Sequence, residues 1–220
     1  MAEENPNARL IAFSDGVIAV AITLLVLDIR LPDGFGELSD ADLWRSLVAL
    51  WPRLLAYLLS FFVIGNLWNS HRSKFEKISG SDSGLVSINM LFLLTIGLVP
   101  FTTNLIAESG GTLSTAVYAA SMVISGLSLV WLWGHARRNG LVDKSVTPEE
   151  SRRQYTVVIV MAVVFATSIP LSIVYADLAK YFWILIIPVN FVVRLLAVQR
   201  WKSEHPGEPV PKRRTTHDKS

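Results

Sequence analysis

Arg9, Ser14, Asp15, Gly16 and Thr23 are polar or special residues set into one long apolar run, RLIAFSDGVIAVAITLLVLDI, from Arg9 to Ile29. At ~1.5 Å per residue the run spans about 30 Å, the thickness of a hydrocarbon core. A charge at the rim of such a helix is ordinary, but Asp15 lies about two turns inside it. A carboxylate there is costly unless it faces protein or water, so this segment is where function is expected. The chemistry on offer is that of transport: a fixed carboxylate, a hydroxyl among apolar residues and, further along, His71, whose side chain type titrates near neutral pH. Of four histidines only His71 and His135 fall near membrane depth, and no matched carboxylate pair or metal-ligand spacing accompanies them. No enzyme, cofactor or structural metal site is expected.

Composition sets the class. Of 220 residues 51% are hydrophobic and only 17% charged, and the mean hydropathy is +0.43. Soluble domains carry about 25% charge, so this is the balance of a polytopic membrane protein, with membrane lipid as its surroundings and no nucleic-acid partner. The absence of cysteine excludes disulfides and thiol chemistry. The first segment is too long and too weakly basic in front for a signal peptide, so it is expected to remain in the mature protein.

The elements that position these residues follow from turn and charge signals. Residues 1–8 form a short polar tail. Helix 1 is expected from Arg9 to Leu31, ending at Pro32–Asp33–Gly34. Ser39 or Asp40 would cap a helix 2 that runs from about Leu43 to His71, with Pro52 able to kink it. Helix 3 is expected over Leu85 to Ile106, interrupted at Gly97 to Pro100, and helix 4 over Leu113 to His135. Pro148, Glu149 and Glu150 have the composition of a first helical turn, leading into helix 5 from Tyr155 to Tyr175. Helix 6 would run from Tyr181 to Val198. The expectation is therefore an all-α polytopic protein with six transmembrane helices in a domain over 9–200, followed by a basic, disordered tail over 201–220. Arg9, the Arg72–Lys74–Lys77 cluster, the loop from Arg137 to Arg153 and the tail cations fall on one side. The positive-inside rule makes that side, and both termini, cytoplasmic. No internal repeat supports a two-repeat carrier, and a shared axis between copies would be an easy way to make a pore.

At about 100° per residue, Phe13, Val17, Val20, Leu24, Leu27 and Leu31 form one stripe, and Thr23 lies about 60° from Val20. Facing an axis, Val20, Leu24 and Leu27 would stack as apolar rings that gate by dewetting. The competing reading is that the stripe packs against lipid or other helices. Asp15, about 140° from Val20, should point into its own subunit, toward Asn66, Trp68, Asn69 and His71 on helix 2. Paired with His71, Ser14 or Arg9 it would hold helix 1 at a fixed rotation; the alternative is a proton-sensing or proton-carrying site. Asn89 and Asn190 suit helix–helix hydrogen bonds, and Arg194 can snorkel to the interface.

Arg9–x–x–x–Phe13–Ser14–Asp15–Gly16, continuing through Val17, Ala19 and Ala21–Ile22–Thr23–Leu24–Leu25–Val26–Leu27 to Ile29, resembles the signature of the transmembrane protein 175 potassium channel family in its prokaryotic form. Trp68 and His71, followed by Phe75, resemble that family's second-helix pattern. The resemblance implies a leak-type, potassium-permeable channel in a prokaryotic cell (inner) membrane, a homotetramer whose central pore is lined by helix 1. On the matching positions it implies Val20 as the narrowest ring, Leu24 and Leu27 above it, and Thr23 as a hydroxyl layer where potassium passes transiently. It implies Arg9, Ser14, Asp15, Trp68 and His71 as the polar network orienting helix 1. Where the family usually has isoleucine or leucine this chain has Val20, a smaller side chain that widens the closed neck.

Apolar rings cannot coordinate potassium, so discrimination would rest on the lower dehydration cost of the larger cation, giving modest selectivity over sodium. Asp28 and the acids Asp33, Glu37, Asp40 and Asp42 would focus a negative field at the outer mouth. A proton-permeable pore using Asp15 or His71 and a cation-coupled secondary transporter are the alternatives.

Overall fold

The computed structural model describes residues 6–31, 36, 38–174 and 183. The turn expected at Pro32–Asp33–Gly34, the sixth expected span apart from Trp183, Asn190, Arg194 and the tail over 201–220 lie outside the described residues. In chain order the helices are α1 (Ala8–Leu24), continued by a 3-10 turn (Leu25–Asp28), α2 (Asp40–Ala49), α3 (Trp51–Phe75), α4 (Ser83–Gly97), α5 (Val99–Ser109), α6 (Thr112–Arg138) and α7 (Pro148–Val174).

The expected six spans are corrected by this arrangement. Among the described residues four stretches are long and apolar enough to cross a membrane: Ala8–Asp28, Ser83–Ser109, Thr112–Arg138 and Pro148–Val174. A fifth exists only if Asp40–Ala49 and Trp51–Phe75 count as one span, and these meet at a 45° bend. The expected single helix 2 is divided at Leu50, next to the proline expected to kink it, because Pro52, at the start of α3, brings no N–H to continue the ladder. The preceding α2 carries Asp40, Asp42 and Arg45 and buries none of its residues, so it has no apolar reason to align with α3. The all-α polytopic class therefore stands with four spans, five at most, among the described residues, and the protomer by itself defines neither a tetramer nor a central pore.

Local chemistry explains the remaining boundaries. Asp82 caps α4 by accepting from the Leu85 N–H at 2.6 Å, two residues ahead of the expected start. At α7 the Thr147 hydroxyl accepts from the Glu150 N–H while the Glu150 carboxylate accepts from the Thr147 N–H, each at 3.2 Å. This reciprocal cap starts the helix at Pro148, where the first-turn composition put it, so that the turn and the span expected from Tyr155 are one continuous helix. The expected interruption near Pro100 appears as a break at Leu98, yet α4 and α5 still make one span.

The core runs down the bundle through Ile18, Val63, Leu67, Phe92, Ile96, Met122, Leu129 and Phe165. At the basic end the α3–α4 and α6–α7 connections interlock. The N–H groups of Ser79 and Gly80 both donate to the Leu141 carbonyl, and that of Asp143 donates to the Lys77 carbonyl. Asn7, buried at the foot of α1, donates to the Gly80 carbonyl at 3.0 Å. Helix 1 is thus tied to the same plate of loops from which α4 and α7 rise.

Candidate functional site

Helix α1 buries one narrow face. Ser14, Ile18, Ala21 and Leu25 are spaced by three and four residues, which puts them on one side of a helix, and all four are buried. The neighbouring stripe is open: Phe13 is 54% exposed, Val20 57%, Leu24 43% and Leu27 63%, and Thr23 is exposed beside them. The Thr23 hydroxyl donates to the Val20 carbonyl at 2.8 Å, leaving its oxygen lone pairs facing outward as acceptors. Val17 is only half-buried.

A polar chain fixes the buried face. The Trp68 indole N–H donates to the Asp15 carboxylate at 2.7 Å. The Arg72 guanidinium, itself paired with Glu76, lies 5.9 Å from the Trp68 ring centroid. Ser14 donates to the Leu10 carbonyl at 2.7 Å and accepts from the Asn89 amide at 2.9 Å. Asn89 then presents its carbonyl oxygen to His71 Nε2 at 2.8 Å, an arrangement in which Nε2 carries the ring proton. The His71 ring is fully buried, stacked on Phe92 at 5.2 Å and against Phe75 at 4.5 Å.

The sequence residues are brought together in a different pairing from that expected. Asp15 takes Trp68 and not His71; His71 turns away to α4. Ser14 and His71 never touch but share Asn89, which reads from sequence only as a helix–helix contact. Arg9 is exposed and, among the described residues, has no ion pair or side-chain hydrogen bond with the others. Asp28 is half-buried and accepts from the Asn104 amide of α5 at 3.0 Å, so it pins the outer end of α1. Asn89 and Asn104 are the residues that sequence reasoning left out of the site. Their one signal is an amide inside an otherwise apolar span, which marks a buried hydrogen bond without naming its partner.

The basic end carries further anchors. Lys74 is fully buried and its ammonium donates to the Gln154 carbonyl at 2.9 Å, joining α3 to α7. The His135 ring meets both Asp82 oxygens at 2.9 Å, joining α6 to the cap of α4. The Leu85 N–H and then His135 hold the Asp82 carboxyl below its ordinary range.

With this geometry in place, comparison with known proteins gives a consistent answer. The sequence pattern of the family described as endosomal/lysosomal potassium channel TMEM175 matches residues 9–100, which contain α1 from Arg9 onward and the polar chain. A potassium channel of Streptomyces collinus is 39% identical over 154 residues, covering 67% of this chain and 73% of that protein. A crystal structure of a lysosomal potassium-selective channel TMEM175 homolog from Chamaesiphon minutus superposes with a TM-score of 0.74 at 29% identity, covering 87% of this chain and 98% of that one. The human endosomal/lysosomal proton channel TMEM175 is 39% identical over 97 residues, 42% of this chain and 19% of that protein.

Proposed function

Since the chain belongs to the TMEM175 potassium channel family, an integral-membrane transport class and not an enzyme class, we propose that it forms a potassium-permeable, leak-type channel. In this reading four copies surround an axis onto which each α1 turns its exposed stripe. Val20 makes the narrowest ring, Leu24 and Leu27 continue it outward, and potassium passes close to the Thr23 oxygens. Ser14, Asp15 and Trp68, with His71 acting through Asn89, orient the helix from behind; Arg9, exposed at its foot, is not part of that chain.

One observation carries the proposal: the first span is the least buried of the four. Only 22% of its apolar window is covered by its own protomer, against 35 to 50% for the others. Yet this same helix is held by interhelical hydrogen bonds at both ends. A helix facing only lipid has no need of a fixed rotation. A helix presenting a ring of Val20 side chains to an axis does, because a turn of one residue moves every side chain by about 100°. Apolar rings exclude strongly hydrated ions and favour the cation with the lower dehydration cost, hence a modest potassium preference.

The test is a reversal potential on purified protein in liposomes under a potassium/sodium gradient, with a proton gradient imposed separately. A potential that follows potassium, together with larger conductance or entry of larger cations in Val20→Ala, supports the reading. Unchanged currents in that variant remove Val20 from the constriction. A proton-permeable pore is the second reading, favoured by Asp15, a half-buried carboxylate whose one side-chain donor among the described residues is Trp68. A potential that follows pH selects it. Slow, saturable flux without unitary currents selects a cation-coupled transporter.

A further inference from the structure

We propose that the cleft between the last turn of α6 and the first turns of α7 binds the phosphate headgroup of an anionic phospholipid. The cleft has a volume of about 400 Å³ and is lined by Gly134, Arg137, Arg138 and Tyr155. Gly134 sits next to both the Arg138 and the Tyr155 side chains. A Cβ added there would stand 3.6 Å from an Arg138 guanidinium nitrogen and 3.6 Å from the Tyr155 hydroxyl, so those two donors lie within about 7 Å of each other. One phosphate, accepting at about 2.8 Å from each side, bridges such a gap. The Arg138 Nε donates to the Gly134 carbonyl at 3.2 Å, which holds the guanidinium over the cleft with its terminal nitrogens free to donate.

Charge balance singles out this corner of the basic end. Arg72 is paired with Glu76 and Lys77 with Glu150. Among the described residues Arg137, Arg138, Arg152 and Arg153 have no carboxylate partner, and all four are exposed. Uncompensated arginines around a concave surface at the cytoplasmic membrane boundary attract anionic headgroups.

The faces leading away from the cleft favour a lipid over a soluble phosphate. On α6, Arg138, Gly134, Trp131 and Leu127 follow one another at helical spacing on one face; Trp131 is 51% and Leu127 53% exposed. On α7 the matching face runs from Arg152 through Tyr155 to Ile159 and Val163, of which the last two are exposed. Along both helices the surface passes from cationic to aromatic or hydroxyl-bearing, and then to aliphatic. From Arg138 to Leu127 the rise is about 16 Å, close to one leaflet of hydrocarbon. A phospholipid has the same order of chemistry over the same length.

The proposal does not depend on what the chain conducts, and its test measures binding. Purified full-length protein in neutral detergent is titrated with phosphatidylglycerol, or with phosphatidylcholine of the same acyl chains, and bound lipid is counted by native mass spectrometry. Phosphatidylglycerol should bind in preference. Arg137→Gln combined with Arg138→Gln should weaken it roughly 30-fold, at about 5-fold per arginine near a membrane surface. Arg72→Gln, whose arginine is already paired, should leave affinity within about 2-fold. Both sites are exposed, so a matching melting temperature establishes that the double variant is folded. Equal binding of the two lipids, or wild-type retention by the double variant, overturns the proposal. So does displacement of the lipid by an equal concentration of glycerol 3-phosphate, which assigns the cleft to a soluble phosphate. Dissociation of an oligomer with lipid retention unchanged assigns the face to contact between copies and overturns it as well.

Discussion

Replacing Asn89 with leucine tests the polar chain at its central link. Asn89 is fully buried and joins His71 on one side, at 2.8 Å, to Ser14 on the other, at 2.9 Å. Leucine fills a similar volume but makes neither bond. Ser14 keeps the Leu10 carbonyl as acceptor, whereas the His71 Nε2–H is left between Phe75 and Phe92 with no acceptor. Interhelical hydrogen bonds in membranes are worth only about 0.6 kcal/mol on average, but stranding a buried donor costs ~1–3 kcal/mol. The substitution should therefore cost about 2–3 kcal/mol, most of it from the orphaned histidine. If so, His71→Phe, which retains the ring stacking and removes the donor, should relieve most of the loss. A double-mutant cycle by reversible detergent-induced unfolding in bicelles should give a coupling of ~1–2 kcal/mol between the two sites. Additivity within about 0.5 kcal/mol would refute the bond as the element joining α3 to α4 behind helix 1.

Two further outcomes follow from the same structure. Thr23→Ala removes the exposed hydroxyl beside Val20 and Leu24, so the reversal potential should move toward the non-selective value while melting temperature is unchanged; a wild-type potential would exclude Thr23 from ion selection. The Asp82 carboxyl is depressed by the Leu85 N–H and by His135, so its stabilisation is complete above the ordinary carboxylate pKa and is lost as pH falls through the lower folded value. Wild type should accordingly lose thermal stability below about pH 4 more steeply than Asp82→Asn; parallel melting curves from pH 6 to pH 3 would show that this cap does not respond to acid.

How much was legible in the sequence varied with the range of the interaction. Helix 1 was legible because its apolar run, its inward Ser14–Asp15 step and its exposed stripe all lie within one segment and are sorted by a single helical period. The start of α7 was legible in Pro148, Glu149 and Glu150, since capping is chemistry within four residues. The partners of Asp15 were only half legible. Antiparallel pairing of helices 1 and 2 brings Trp68 and His71 to the right end, but helical phase then decides between them, and it turns Trp68 toward Asp15 and His71 toward α4. Asn89 and Asn104 come from α4 and α5, whose positions against α1 no local spacing encodes. The helix 2 expectation failed for the opposite reason. Trp44 and Trp51 read as interfacial aromatics of one spanning helix that Pro52 could kink, but both are exposed, Trp44 on α2 and Trp51 at the start of α3, and the chain turns at Leu50 where Pro52 breaks the ladder.

The anchors of α1 explain why its rotation and its open stripe are separable by experiment. Asn7, Ser14 and Asp28 are spaced by seven and fourteen residues, so at about 100° per residue they stay within roughly 60° of one another, on the face that also buries Ile18, Ala21 and Leu25. Their partners are a loop carbonyl, the α4 amide and the α5 amide, three different groups at three heights. Turning the helix by one residue breaks all three together, and sliding it by one turn mismatches each in a different way. Register and rotation are thus over-determined on the buried face, while Val20, Thr23, Leu24 and Leu27 make no side-chain hydrogen bond to any other helix among the described residues. Changes to Asn7 and Ser14 should act first on stability, and on flux only through the helix they hold. Changes to the stripe leave the protomer's own hydrogen bonds intact, so an effect on flux there reports on what the stripe faces.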